Sequence, residues 1–180
     1  MYTDTSKKVG GNMKRALLIL CLLASVGITI LFGRLADFQI PDKVPFATAE
    51  QVIEIHSVMS DAQLESYSKL RFWDMIFPLA YGGTLLLAIS LLAGRLQFSS
   101  GIHRLLLAPA VITIISDYLE NSLLISILAS WPETAWPVSV VGYFGGIKTI
   151  AISLSMLIVL LLLLRQLQLF IRTRCVRCAP

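Results

Sequence analysis

Four long apolar stretches constrain this chain more than any motif in it. They lie at about 16–33 (ALLILCLLASVGITILFG), about 72–92 (FWDMIFPLAYGGTLLLAISLL), about 105–129 (LLLAPAVITIISDYLENSLLISILA) and about 138–164, which ends in SLSMLIVLLLLL. A helix needs about 20 mostly apolar residues to cross roughly 30 Å of hydrocarbon. In lipid the backbone must satisfy its own hydrogen bonds, so each stretch is expected to be helical. The 180 residues are 56% hydrophobic and only 14% charged. A particle of that size cannot bury so much apolar surface, which excludes a free soluble domain, and disordered chains are poor in apolar residues. The expected fold is all-α: a four-transmembrane-helix bundle forming a single membrane domain over 1–180. Lys14 and Arg15 before the first run fit the basic start of a signal peptide. The run is longer than most signal cores, however, and Arg34-Leu35-Ala36 is a poor cleavage pattern, so it is expected to be a retained helix.

Basic residues set the expected orientation. Lys7, Lys8, Lys14, Arg15, Arg95, Arg104, Arg165, Arg172, Arg174 and Arg177 fall on one side of a four-span chain. Arg34, Lys43, Lys69 and Arg71 on the other side are offset by Asp37, Asp42, Glu50, Glu54, Asp61, Glu65 and Glu133. Both termini, including a basic tail at 165–180, are therefore expected in the cytoplasm, with the bundle in the plasma (inner) membrane. The basic balance belongs to this inner-face collar; with no basic soluble domain, no nucleic-acid partner is expected. Membrane lipids are the expected partners.

The connection between the first two spans carries two capping-box spacings, Thr48 with Gln51 and Ser60 with Gln63. They predict an extracytoplasmic amphipathic segment over about 48–70. In its first helix Val52, Ile53, Ile55 and Val58 lie among Glu50, Glu54 and His56. That helix is expected on the membrane surface or over the bundle mouth. A second helix, starting near Asp61, is expected to run unbroken into the second span. Trp131 and Trp136 in WPETAWP suit a headgroup belt.

Ionisable residues inside apolar spans are costly and mark candidate sites. Arg71, Asp74, Pro78 and Tyr81 follow one helix face in span two, and Asp117, Glu120 and Asn121 follow one face in span three. Span four carries Tyr143 and Lys148, with Gly142, Gly145 and Gly146 small enough to admit a neighbouring helix. At 1.5 Å per residue, Tyr81, Glu120, Asn121 and Lys148 all fall roughly 13–15 Å below the outer surface, with Asp117 a turn deeper. Residues 157–164 carry no polar side chain. The polar faces are thus expected to converge in the outer half, as a pocket rather than a channel. Asp117 or Glu120 is the expected partner of Lys148.

Three readings of this cluster stay open. It fixes helix order and rotation; it lines a pocket for a lipid or small amphiphile; or it moves protons. The pocket's expected ligand-binding residues are Arg71, Asp74, Tyr81, Asp117, Glu120, Asn121, Tyr143 and Lys148. Arg71 stands near the mouth to meet an anionic headgroup, and the tyrosine hydroxyls bond to the acids. Asp117 and Glu120 are the candidate proton donors or acceptors if chemistry occurs. For Pro78 the expected role is to kink or reshape span two.

Asp74-x-x-Phe77-Pro78-x-x-Tyr81, then Asp117-x-x-Glu120-Asn121, then Lys148 resembles a group of small four-helix bacterial membrane proteins without an assigned activity. PDKVPFATAEQ looks like that group's lead-in to span two, and the similarity covers roughly 35–165. It implies a four-helix plasma-membrane bundle and no known reaction. Similarity to sterol-isomerase-like four-helix domains is architectural only.

No cofactor or metal site is expected. Cys175 and Cys178 offer half of a structural zinc site and fit a plain basic tail, and Cys21 packs inside span one. His56 and His103 fall on opposite sides of the expected membrane. No phosphate loop, nucleophile elbow or zinc-protease signature is present.

Overall fold

A computed structural model of the chain describes residues 2–35, 38, 40–133 and 136–177. Their regular structure is entirely helical: α1 (Tyr2–Leu35), a short 3-10 turn (Pro41–Lys43), α2 (Ala49–Ser57), α3 (Asp61–Asp74), α4 (Phe77–Arg95), α5 (Ser100–Ser130) and α6 (Pro137–Arg177). Among the described residues, four segments are long and apolar enough to cross a membrane: Asn12–Arg34, Asp61–Arg95, Ser100–Ser130 and Pro137–Thr173. Each outlasts its apolar run because helix formation does not stop at a change of polarity. The 41 residues of α6 span about 60 Å, twice a hydrocarbon core.

Long helices consecutive in the chain are antiparallel. Phe32 near the end of α1 meets Phe77 at the start of α4, while Cys21 lies against Gly83 further along. Gly82, on the adjacent face of α4, lies under the side chain of Ile114 in α5. Two consecutive glycines thus let α4 approach a helix on each side, as small residues do where backbones pack closely. α5 and α6 form the most extensive helix pair, and α1 is peripheral, packing mainly on α4. Outward-facing positions are apolar, with Leu20, Leu23, Leu105, Met156 and Leu161 all exposed. An apolar exterior around polar contacts suits hydrocarbon surroundings rather than water.

Two apolar clusters bracket the interior. At the end bearing the long connection, Val52 of α2 packs with Leu123, Leu124, Ile127, Val138 and Val141. At the opposite end Ile89, Ala93, Ala110 and Leu162 join α4, α5 and α6. Both capping boxes form: Thr48 and Ser60 accept from the amides of Gln51 and Gln63, and each glutamine side chain accepts from its cap residue's backbone N–H. The short helix α2 lies over the bundle end against α5 and α6. His56 does not belong with its polar residues. It is fully buried, four positions from Val52 on the same face, between the rings of Tyr67 and Trp131 (centroids 5.7 and 5.3 Å). Trp136 is exposed.

The expectation of one unbroken helix from Asp61 into span two is overturned. α3 ends at Asp74 and α4 begins at Phe77. Pro78 has no N–H for the carbonyl of Asp74 four residues earlier, and its ring crowds that carbonyl. The next amide, of Leu79, turns to Ile76 O (3.2 Å), so the Met75 carbonyl also loses its helical partner. The helix α5 supplies both replacements. Asn121 Nδ2 donates to Asp74 O (3.0 Å), and the Tyr118 hydroxyl donates to Met75 O (3.0 Å).

Candidate functional site

The polar residues of α3, α4, α5 and α6 meet between the two apolar clusters, in two adjoining groups. The first surrounds the helix break. Arg71 Nη1 donates to Asp74 Oδ2 (2.9 Å) and to Asn121 Oδ1 (2.8 Å), and its guanidinium lies 4.8 Å from the ring centre of Tyr67. Asn121 spends its amide nitrogen on the Asp74 carbonyl and its oxygen on Arg71, so it holds α3 to α5 by both ends. Arg71, Asp74 and Asn121 are all buried.

The second group lies a turn along α5. Tyr81 donates to Asp117 Oδ2 (2.6 Å), and Lys148 Nζ lies 3.2 Å from Asp117 Oδ1 and also pairs with Glu120 Oε2. One ammonium thus holds two carboxylates of α5 at i and i+3, while α4 contributes the phenol. Gly145 explains how Glu120 fits. A Cβ at that position would come within 2.5 Å of Glu120 Oε1, so the missing side chain makes room for the carboxylate. Gly142 and Gly146 admit no helix. Instead the loop before α2 seats the Ala47 backbone on Gly142 and the Phe46 ring on Gly146. Phe46 has φ 57°, a left-handed conformation that a non-glycine residue adopts only under constraint from its surroundings.

Beside the second group is a cleft of about 370 Å³. Its sides are Phe32 and Ile40 at the end of α1 and beyond, and Thr149 and Ile152 of α6; Asp74, Phe77, Tyr81, Asp117 and Lys148 complete the lining, with Lys43 at the rim. Phe32, Phe77, Tyr81, Lys148, Thr149 and Ile152 are half-buried, so the cleft is not sealed. The rings of Phe32, Phe77 and Tyr81 pack in sequence, tilted by 55° and 49°, with centroids 5.4 and 4.8 Å apart.

The structure divides the sequence-predicted site residues. Asp74, Tyr81, Asp117 and Lys148 line the cleft. Glu120 is buried and reaches it through Lys148. Asn121 is turned to the helix break. Arg71 does not stand at this cleft's mouth: only 2% of its side chain is exposed, held by Asp74 and Asn121, and it borders a separate groove between α3 and α5 with Leu64, Phe72 and Trp131. Tyr143 is 66% exposed and bonds to none of the acids. Lys43, Phe32 and Thr149 were missed by sequence reasoning. Thr149 adjoins Lys148 in sequence, but nothing around Phe32 or Lys43 marks them. Among the described residues no group of three or more histidine, cysteine, aspartate or glutamate side chains is placed to hold a metal ion, and Cys175 and Cys178 lie outside the described side chains. In comparisons with protein-family models, curated proteins and solved structures, nothing matches this chain.

Proposed function

We propose that this chain is a multi-pass membrane protein whose cleft binds the polar head of a lipid or small amphiphile, the alkyl chain leaving between α1 and α6. The observation that carries this reading is the cleft itself: an ionic floor of Asp117 and Lys148 and apolar and aromatic walls supplied by α1, α4 and α6. Lys148 lies about 16 Å along α6 from Pro137, so with α6 across a bilayer the ionic floor would lie at the depth of the acyl chains. A pocket with few polar groups converging in an apolar lining is the usual form of a small-ligand site. The distribution of basic residues supports cytoplasmic termini and an extracytoplasmic α2, and the motif resemblance supports the plasma membrane of a bacterium. If a reaction accompanies binding, Asp117, within reach of a phenol and an ammonium, is the residue placed to move a proton.

A scaffold role is favoured by one specific observation, the use of Arg71, Asp74 and Asn121 to close the helix break. We assign that role to this group alone. Proton transport has less support, because the apolar cluster of Ile89, Ala93, Ala110 and Leu162 lies between the ionic layer and the far end of the bundle.

Native mass spectrometry of gently extracted protein tests the binding role. The wild type is expected to retain an amphiphile. Ile152→Trp, which fills the cleft from α6, is expected to fold and lose it. Equal retention by both proteins would place the amphiphile elsewhere.

A further inference from the structure

We infer that the chain pairs in parallel with a second copy of itself along α6, by an apolar row that runs out of the bilayer. The inference rests on the membrane-spanning reading and not on the cleft. Met156, Leu160, Leu163, Leu167 and Phe170 are each 49–61% exposed. They recur at spacings of four and three, the repeat of a coiled-coil seam. Leu162 and Gln166 mark the side of α6 that faces its own bundle. Leu162 packs with Ile89, Ala93 and Ala110, while Gln166 Nε2 donates to Leu92 O (3.0 Å) and its Oε1 accepts from Arg95 Nη1 (3.2 Å). At about 100° per residue, the row lies roughly a third of a turn from these two.

Lipid covers the first part of this row but not the last. Arg165 lies about 42 Å along α6 from Pro137, the full depth of a bilayer with its headgroups at about 40–45 Å. The bundle ends at the same level, because α4 stops at Arg95, α5 starts at Ser100, and Gln166 joins the last turn of α4. Leu167 and Phe170 therefore stand beyond both, yet α6 continues to Arg177. So short a helical extension gains little in water unless its apolar side is packed. The charges indicate by what. Arg165 and Arg172 lie on the side of the helix opposite the row, and the positions that flank it, Leu164, Gln166, Ile171 and Thr173, carry no charge. No oppositely charged partner is specified, and two copies can meet without repulsion. Copies that cross one bilayer in the same sense run parallel, so the row meets itself at equal depth, as a two-fold interface requires.

Disulfide scanning of the full chain in native membranes tests the pairing, in a Cys21→Ser/Cys175→Ser/Cys178→Ser background. Leu163→Cys and Leu167→Cys are expected to give covalent dimers on mild oxidation, and Arg165→Cys and Gln168→Cys to give none. Photobleaching counts of labelled protein in liposomes supply an independent measure. Leu167→Glu loses the burial of two leucines and sets two carboxylates face to face, and it should weaken the dimer about a hundredfold. Gln168→Glu adds the same charge one residue further on, away from the row, and should leave the dimer unchanged. Both variants are expected to keep the helical circular dichroism and the amphiphile retention of the wild type, so pairing and ligand binding stand or fall separately. Monomers at every protein density, equal cross-linking at all four positions, a dimer that Leu167→Glu leaves intact, or Leu167→Cys linked to a different protein would each overturn the pairing. A chain released from membranes by alkaline carbonate would overturn the membrane-spanning reading and the pairing with it.

Discussion

Arg71, Asp74 and Asn121 adjoin Tyr81, Asp117, Glu120 and Lys148 along α5, and both groups pair acids with a base. They differ in what lies beside them. The first group is almost wholly buried, with only Asp74 reaching the cleft wall, and its bonds join α3 to α5 at the carbonyl left by Pro78. The second leaves 18% of the Lys148 side chain exposed and borders a cleft lined also by Phe32 and Ile152. Polar groups in an apolar interior need partners. Once those partners are supplied, access from outside separates an ionic group that only holds helices together from one that meets a ligand.

Removing one base from each group should separate them most strongly. Arg71→Met leaves the buried Asp74 carboxylate without its guanidinium and is expected to cost about 3–5 kcal/mol. Lys148→Met should cost about 2 kcal/mol, since the cleft can admit water or a cation to the two carboxylates. Equilibrium unfolding in mixed micelles measures both, and a larger loss for Lys148→Met would reverse the assignment of the two groups.

A double-mutant cycle sharpens the enclosed side. Asn121→Ala leaves the Asp74 carbonyl without its donor and should cost about 2 kcal/mol. In a Pro78→Ala background the amide of residue 78 is free to donate to that carbonyl. The cost of Asn121→Ala should fall there by about 1 kcal/mol. Additive costs would mean that Asn121 does not replace the hydrogen bond that proline removes.

On the open side, Tyr81→Phe removes one donor to Asp117, and the cleft can supply a substitute. About 1 kcal/mol is expected, with reduced amphiphile retention. Tyr143→Ala should have the smallest effect, within about 0.5 kcal/mol and with retention unchanged. Loss of ligand in Tyr143→Ala would draw the outer face of α6 into the site.

The convergence of α4, α5 and α6 was legible because helical spacing puts Asp117 and Glu120 on one face and a buried lysine needs an acid. The same periodicity, applied strictly, separates Tyr143 from Lys148: five residues turn the side chain about 140° around the axis. The chemical likeness of the two tyrosines hid that difference. Pro78 signalled a distortion, but spacing alone does not tell a kink from the break seen after Asp74. Asp74 and Tyr81 still share the cleft across the break, whereas Arg71 is held away from it by Asp74 and Asn121, a tertiary pairing that spacing along one helix does not show. Lys43 and Phe46 sit in the connecting loop, where no period fixes direction. Phe32 lies in a uniformly apolar helix, where nothing distinguishes a cleft wall from a surface in contact with lipid.

Neutralising the open group as a whole tests most directly that it serves a ligand rather than the fold. In Tyr81→Phe/Asp117→Asn/Glu120→Gln/Lys148→Met the charges disappear together, so no ion is left buried without its partner. Thermal unfolding and native mass spectrometry on this variant should give a midpoint within a few degrees of the wild type and no retained amphiphile. A folded variant that keeps the wild-type amphiphile at full occupancy, or a variant that cannot fold, would contradict the separation of the two groups.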